Sequence, residues 1–165
     1  MKDPRKQSFC ALVNCTTPGH EGVVGISRTS RSMIVDLATS GWLQVVSGRN
    51  RGDMVGSRFR FDYLETKGDR IHYHISGDSE VENYYGRKLG VSRNGYLGLY
   101  ENGASPFWKL ELIGEWDGTN GLDFYLRDHQ GHEVSNYEYA NSWFLNVYEG
   151  ARLSFKATNI KFLET

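Results

Sequence analysis

An aromatic side chain stands directly before each of three leucines that anchor similar short runs. Trp42 precedes Leu43, Tyr96 precedes Leu97, and Phe144, with Trp143 beside it, precedes Leu145. On an extended strand, successive side chains point to opposite faces. If the leucines are buried, the rings ahead of them face outward. An outward ring is a platform for the apolar face of a sugar, and nearby carboxylate, amide and imidazole groups can bind its hydroxyls. Asp36, Asn94, Asn141, Asn146 and His132 are the candidate polar partners. Glycans are the ligand class that this pattern anticipates. The competing reading is plainer. Half-buried rings are common in small β proteins, and these rings would then pack between hairpins or cover one end of the fold.

A second possible chemistry is recognition by splayed opposite charges. Arg51-Gly52-Asp53 lies in the stretch SGRNRGDMVGS, together with Arg49. The distance from leucine to the next aromatic strand is 11 residues for Leu97 to Trp108 and 10 for Leu145 to Phe155, but 18 for Leu43 to Phe61. The first unit therefore carries an insertion, and residues 48–57 form an extended loop suited to contact with a protein partner. A given tripeptide also arises by chance in a chain of this length.

The remaining groups suggest little reactivity. His72 and His74 alternate with Ile71, Tyr73 and Ile75, so burial of the latter would turn both imidazoles to solvent. His129 and His132 flank a glycine-containing turn, and no spacing brings the two pairs together as metal ligands. No phosphate-cradling loop, no zinc-spaced cysteine pair and no Gly-x-Ser-x-Gly elbow occurs. Asp117, Asp123 and Asp128 lie near turns, where aspartate commonly supports the backbone. A non-enzymatic protein without cofactor or metal is expected.

These residues are positioned by a repeat. Phe61, Trp108 and Phe155 open three closing strands at intervals of 47 and 47 residues. Leu43, Leu97 and Leu145 recur at intervals of 54 and 48, each followed two residues later by Val45, Leu99 or Val147. Opening strands are expected at SFCALVN (burying Phe9, Ala11 and Val13), RIHYHIS (Ile71, Tyr73, Ile75) and GLDFYLRD (Leu122, Phe124, Leu126). Alternation with period two marks half-buried strands, and the fixed interval marks an internal repeat. Asn94-Gly95 reads as a type I′ hairpin turn with both residues at positive φ. No segment carries sustained helical periodicity. The first strand, near Phe9, and the last, near Phe162, are expected to pair.

GRKLGVSRNGYLGLYENGASPFWKLE resembles the repeat unit of β-trefoil proteins, including fascin-like, ricin-B-like and fibroblast-growth-factor-like domains. The resemblance extends over the whole chain as a pattern and is clearest in the middle unit. It implies an all-β fold of three pseudo-repeats, roughly 8–66, 67–115 and 116–165, with about four short strands each. A β-sandwich is the alternative. Ricin-type lectins carry Gln-x-Trp in the last strand of each unit; here Pro106-Phe107-Trp108 keeps the Trp and lacks the Gln, and the other two units have Phe. With the outward aromatics, the resemblance implies a carbohydrate-binding, lectin-like protein. The second implication is a protein-interaction module of actin-crosslinking, cytokine-like or protease-inhibitor type that uses the 48–57 loop.

Composition bounds these expectations. The 165 residues suit one domain over 8–165, after a flexible segment 1–7. Nineteen Gly against three Pro, with 10 Tyr, 8 Phe and 4 Trp, favour short strands and tight turns. A net charge of −1 gives no basic footprint for nucleic acid. No apolar stretch suggests a signal peptide or membrane insertion, and Cys10 and Cys15 read as free buried thiols, so a cytoplasmic location is expected.

Overall fold

A computed structural model describes residues 3–27, 42–45, 54–56, 58–78, 86–100, 107–119, 121–139 and 142–163. The strands are β1 (Phe9–Cys15), β2 (Gly22–Ser27), β3 (Leu43–Val45), β4 (Met54–Gly56), β5 (Arg58–Lys67), β6 (Arg70–Gly77) and β7 (Lys88–Val91). They continue with β8 (Leu97–Tyr100), β9 (Trp108–Leu112), β10 (Leu122–Asp128), β11 (Ser135–Tyr139), β12 (Ser142–Asn146), β13 (Ala151–Arg152) and β14 (Phe155–Phe162). The protein is all-β apart from a 3-10 turn at Pro4–Lys6.

Six strands close on themselves. β1 pairs with β14, β14 with β10, β10 with β9, β9 with β6, β6 with β5, and β5 with β1, all antiparallel. Closure removes the exposed edges that an open sheet would leave. The seam between first and last strands has the expected register, with Phe9 opposite Phe162. Extra strands rise from this barrel as the ribbons β2–β3, β7–β8 and β11–β12, with β4 added to β2 and β13 to β11.

Three contacts join the ribbons in a cycle. Trp42 bridges to Gly98 of the second ribbon, Tyr96 bridges to Asn146 of the third, and Phe144 pairs with Gln44 of the first. Each aromatic thus meets the residue two positions beyond the aromatic of the next ribbon. Alternation then sends Leu43, Leu97 and Leu145 inward, where each is at most 2% exposed. They plug the barrel together with Phe61, Phe124 and Phe155. A space of only about 30 Å³ remains between them, which is one water's worth.

The buried faces of β1, β6 and β10 are those the alternation anticipates: Phe9, Ala11 and Val13; Ile71, Tyr73 and Ile75; Leu122, Phe124 and Leu126. Cys10 and Cys15 are buried free thiols. Burial is the largest influence on both and pushes their pKa up, so neither is an activated thiolate.

Two local expectations are corrected. At Ser92–Tyr96, Gly95 has φ +89°, while Asn94 is not in the left-handed region, so the turn is not type I′. The Ser92 carbonyl accepts from Gly95 N–H at 2.9 Å, and Ser92 N–H donates to the Tyr96 carbonyl at 2.8 Å. This is a longer loop closed by a left-handed glycine. Gly95 must be glycine for a further reason: a Cβ there would lie 2.7 Å from both Asn146 Oδ1 and the Tyr148 ring. The second correction concerns His72. His74 is exposed as expected, but His72 is 6% exposed, because Phe107 stacks on its ring at 4.8 Å. Strand alternation gives the direction of a side chain and not what a neighbouring segment lays over it.

Candidate functional site

The ribbon end gathers the sequence-predicted aromatics. Trp42 and Tyr96 stack with centroids 4.8 Å apart and planes 19° from parallel. Phe144 meets both edge-on, at 5.9 Å and 5.6 Å, and Tyr137 adds an edge contact to Tyr96 at 5.8 Å. The cyclic pairing of the ribbons makes this convergence unavoidable, since it brings the three strand starts to one axis. All four rings are half-buried. Trp42 and Tyr96 each spend a face on the other. The plainer expectation, rings packed between hairpins, describes this geometry. Trp143 lies apart, on the other strand face, where its ring meets His20 at 5.0 Å.

The proposed polar partners have structural duties. Asn146 is 2% exposed. Its Oδ1 accepts from the backbone N–H of Tyr148 (2.7 Å) and Glu149 (3.1 Å), and its Nδ2 donates to the Asn94 carbonyl (3.2 Å). Asn94 is exposed and contributes that carbonyl. His132 sits on the β10–β11 turn with Nδ1 2.9 Å from Asp128 Oδ2. Asp128, 4% exposed, also accepts from the backbone N–H of Gln130 and His132, so it holds its own turn. Tyr148 links the two regions, with its ring edge-on to His132 at 6.1 Å. Asp36, Asn141, Arg49, Arg51, Gly52 and Asp53 lie outside the described residues.

A concave site lies elsewhere, among the β5–β6 turn, the β9–β10 loop and the N-terminal turn. Its lining comes from Asp3 and Arg5, from Thr66, Gly68, Asp69 and Ile71, and from Leu112, Gly114, Glu115, Trp116 and Asp117. It encloses about 500 Å³, within the range of small-molecule sites. Local chemistry builds each wall. Asp3 caps the 3-10 turn by accepting from Arg5 N–H at 3.0 Å, and Thr66 Oγ1 donates to the Arg5 carbonyl at 3.2 Å. Gly68, at φ +62°, makes the β5–β6 turn, and the Asp69 carbonyl accepts from Leu112 N–H at 3.2 Å. Asp117 Oδ1 folds the other loop by accepting from Thr119 N–H and Oγ1–H, at 2.8 and 2.7 Å. Trp116 anchors that loop in the core against Phe9 and Phe162.

Sequence reasoning missed this groove because its lining is drawn from three segments without a shared motif. One signal was present: of the four tryptophans, Trp116 alone has no place in the repeat alignment. Among the described residues, no group of three His, Cys, Asp or Glu side chains is placed to hold a metal. Among those residues, too, no helix is long and apolar enough to cross a membrane.

No family model matches the chain, and no curated protein matches it in sequence. A solved structure does match, that of a water-soluble chlorophyll protein from Brassica oleracea var. botrytis with chlorophyll-b. The likeness covers 94% of this chain and 90% of that one, with a TM-score of 0.55 and 10% sequence identity. At that identity it speaks to the fold alone. It corrects the resemblance drawn from the repeat: the match lies with a chlorophyll protein, and the assignment to β-trefoil repeats of fascin-like, ricin-B-like or fibroblast-growth-factor-like type does not stand. The lectin and carbohydrate-binding assignment is corrected with it, since it rested on that resemblance and on rings that here pack on one another. Period-two alternation counts strands and turns, and different barrels satisfy the same count. The chain is similar in architecture to the chlorophyll protein: an all-β barrel with additional strands.

Proposed function

We propose that this protein is a non-catalytic binding domain that takes a small ligand in the groove between the N-terminal turn, the β5–β6 turn and the β9–β10 loop. The observation that carries the reading is the groove itself, about 500 Å³ of concave space with a floor of Ile71, Leu112 and Trp116 and a polar rim. The matched structure contains chlorophyll-b, and the reading borrows from it only the idea that such a barrel can serve a small ligand. The plugged barrel interior, with about 30 Å³ of space, directs any ligand to the outside. Catalysis is not proposed. His132 has an orienting carboxylate in Asp128, yet among the described residues no hydroxyl or thiol is hydrogen-bonded to its ring. Two free, buried thiols suit a reducing, cytoplasmic setting.

The test is a fragment screen read by amide and indole NMR on the uniformly labelled protein. Binding should move the resonances of Gly68, Gly114 and the Trp116 indole together. Shifts confined to Tyr139 and Tyr148 would overturn the groove and favour a second reading, a protein partner on the ribbon face. That reading rests on those two rings, 63% and 60% exposed, because exposed tyrosines are common anchors of interfaces.

A further inference from the structure

The charge on the groove rim is one-sided. Four carboxylates line it, Asp3, Asp69, Glu115 and Asp117, against the single guanidinium of Arg5. They arrive on three separate segments, so the excess is a property of the folded rim and not of one acidic run. Arg5 does not offset it toward an incoming ligand, because Asp3 already engages it: Arg5 Nε lies 3.2 Å from Oδ1 and Nη2 lies 3.2 Å from Oδ2. That pairing also holds the Asp3 carboxyl below its ordinary pKa, so the carboxylate stays ionised. Three carboxylates remain in excess around a concave, partly apolar space, where low-dielectric walls concentrate their field.

The floor adds a second feature. Ile71 and Trp116 present apolar atoms, so the site suits a ligand with a hydrocarbon body and not a bare ion. No metal-binding group of three side chains is found there among the described residues. Behind this floor, Tyr73 is wholly buried and its hydroxyl has no hydrogen-bond partner. Burial raises its pKa most, and the Asp3 carboxylate acts in the same direction, which places the hydroxyl within electrostatic reach of that end of the groove. A buried hydroxyl without a partner is uncommon in folded proteins and marks a place where a polar group is accepted from outside the chain.

From these observations, and resting on the groove reading above, we propose that the ligand is an organic cation: an ammonium carried on a compact apolar body, with the body on the Ile71–Leu112–Trp116 floor and the charge at the carboxylate rim.

The experiment compares three probes that share one ring system: 2-naphthylmethylamine (cationic), 2-naphthalenemethanol (neutral) and 2-naphthoate (anionic). Each is titrated into the full chain and followed by calorimetry and by the Gly68, Gly114 and Trp116 resonances. The amine should bind about tenfold or more tighter than the alcohol at low salt, and the advantage should shrink at about 0.5 M salt. The double variant Asp69→Asn/Glu115→Gln should lose most of that advantage while its affinity for the alcohol is unchanged, which also shows that the variant is folded. Equal binding of amine and alcohol would overturn the cation assignment and leave the groove as a binding site. Tightest binding of the naphthoate would overturn it in favour of Arg5 as anchor. If none of the probes moves the groove resonances, the groove reading fails along with the cation.

Discussion

Single residues set the conditions under which this barrel holds. Asn146 is buried and satisfies two backbone donors after β12 while donating to the neighbouring ribbon. Removing its amide leaves those groups buried without partners, a loss larger than the worth of the bonds themselves. Asn146→Ala should lower stability by about 1–3 kcal/mol, read as a shift of the urea midpoint. His72 makes the second residue-level prediction. Burial under Phe107 lowers its pKa below the ordinary 6.5, and the opposing pull of Glu65 is the smaller influence. The unfolded chain therefore takes up this proton more readily than the folded one. The contribution is complete above about 6.5 and is lost as pH falls through the lower folded value. Urea midpoints measured from pH 7 down to pH 5 should fall, and in His72→Gln the fall should be shallower. An unchanged slope in the variant would mean that His72 titrates alike in both states.

At the scale of elements, strands on one side of the barrel are tied by charges. Glu111 of β9 meets Arg127 of β10 at 2.8 Å, Arg70 of β6 at 3.7 Å and Arg152 of β13 at 3.5 Å. Glu133 adds contacts to Arg127 at 3.1 Å and Arg152 at 3.6 Å, and Arg152 lies over the Tyr125 ring at 3.4 Å. Isolated surface pairs contribute little, but here one carboxylate, 20% exposed, serves three guanidiniums on three strands. Glu111→Gln should cost about 1–3 kcal/mol in low salt, since it leaves three cations facing one another. The deficit should narrow as salt is added, which a salt series of thermal melts would show.

For the molecule as a whole, the decisive feature is the cycle of ribbons that closes one end of the barrel. Leu43, Leu97 and Leu145 form its inner layer and the aromatic rings its outer one. Leu97→Ala removes a side chain with no exposure at the centre of this plug. It should cost about 2–5 kcal/mol in chemical unfolding, and because the three leucines meet, Leu97→Ala and Leu145→Ala together should not add. The opposite region, strapped by the Pro4–Lys6 turn, is where the molecule is concave, so the two ends are suited to different work: one to rigidity, the other to binding.

What could be read from the chain alone was the periodic part of this design. Which residues of β1, β6 and β10 face the core, the recurrence of Leu43, Leu97 and Leu145, and the seam between Phe9 and Phe162 all follow from period-two alternation and fixed spacing. Those are local properties, carried by the pleat of each strand. The rest depended on which distant segments come together. The cyclic bridges turned three presumed sugar platforms into one stack of rings, Phe107 covered an imidazole expected in solvent, and backbone groups claimed the amide of Asn146. The groove is the clearest case, since Asp3, Asp69 and Glu115 become neighbours only when the barrel closes. No spacing within a strand encodes that meeting; packing of the closed barrel creates it.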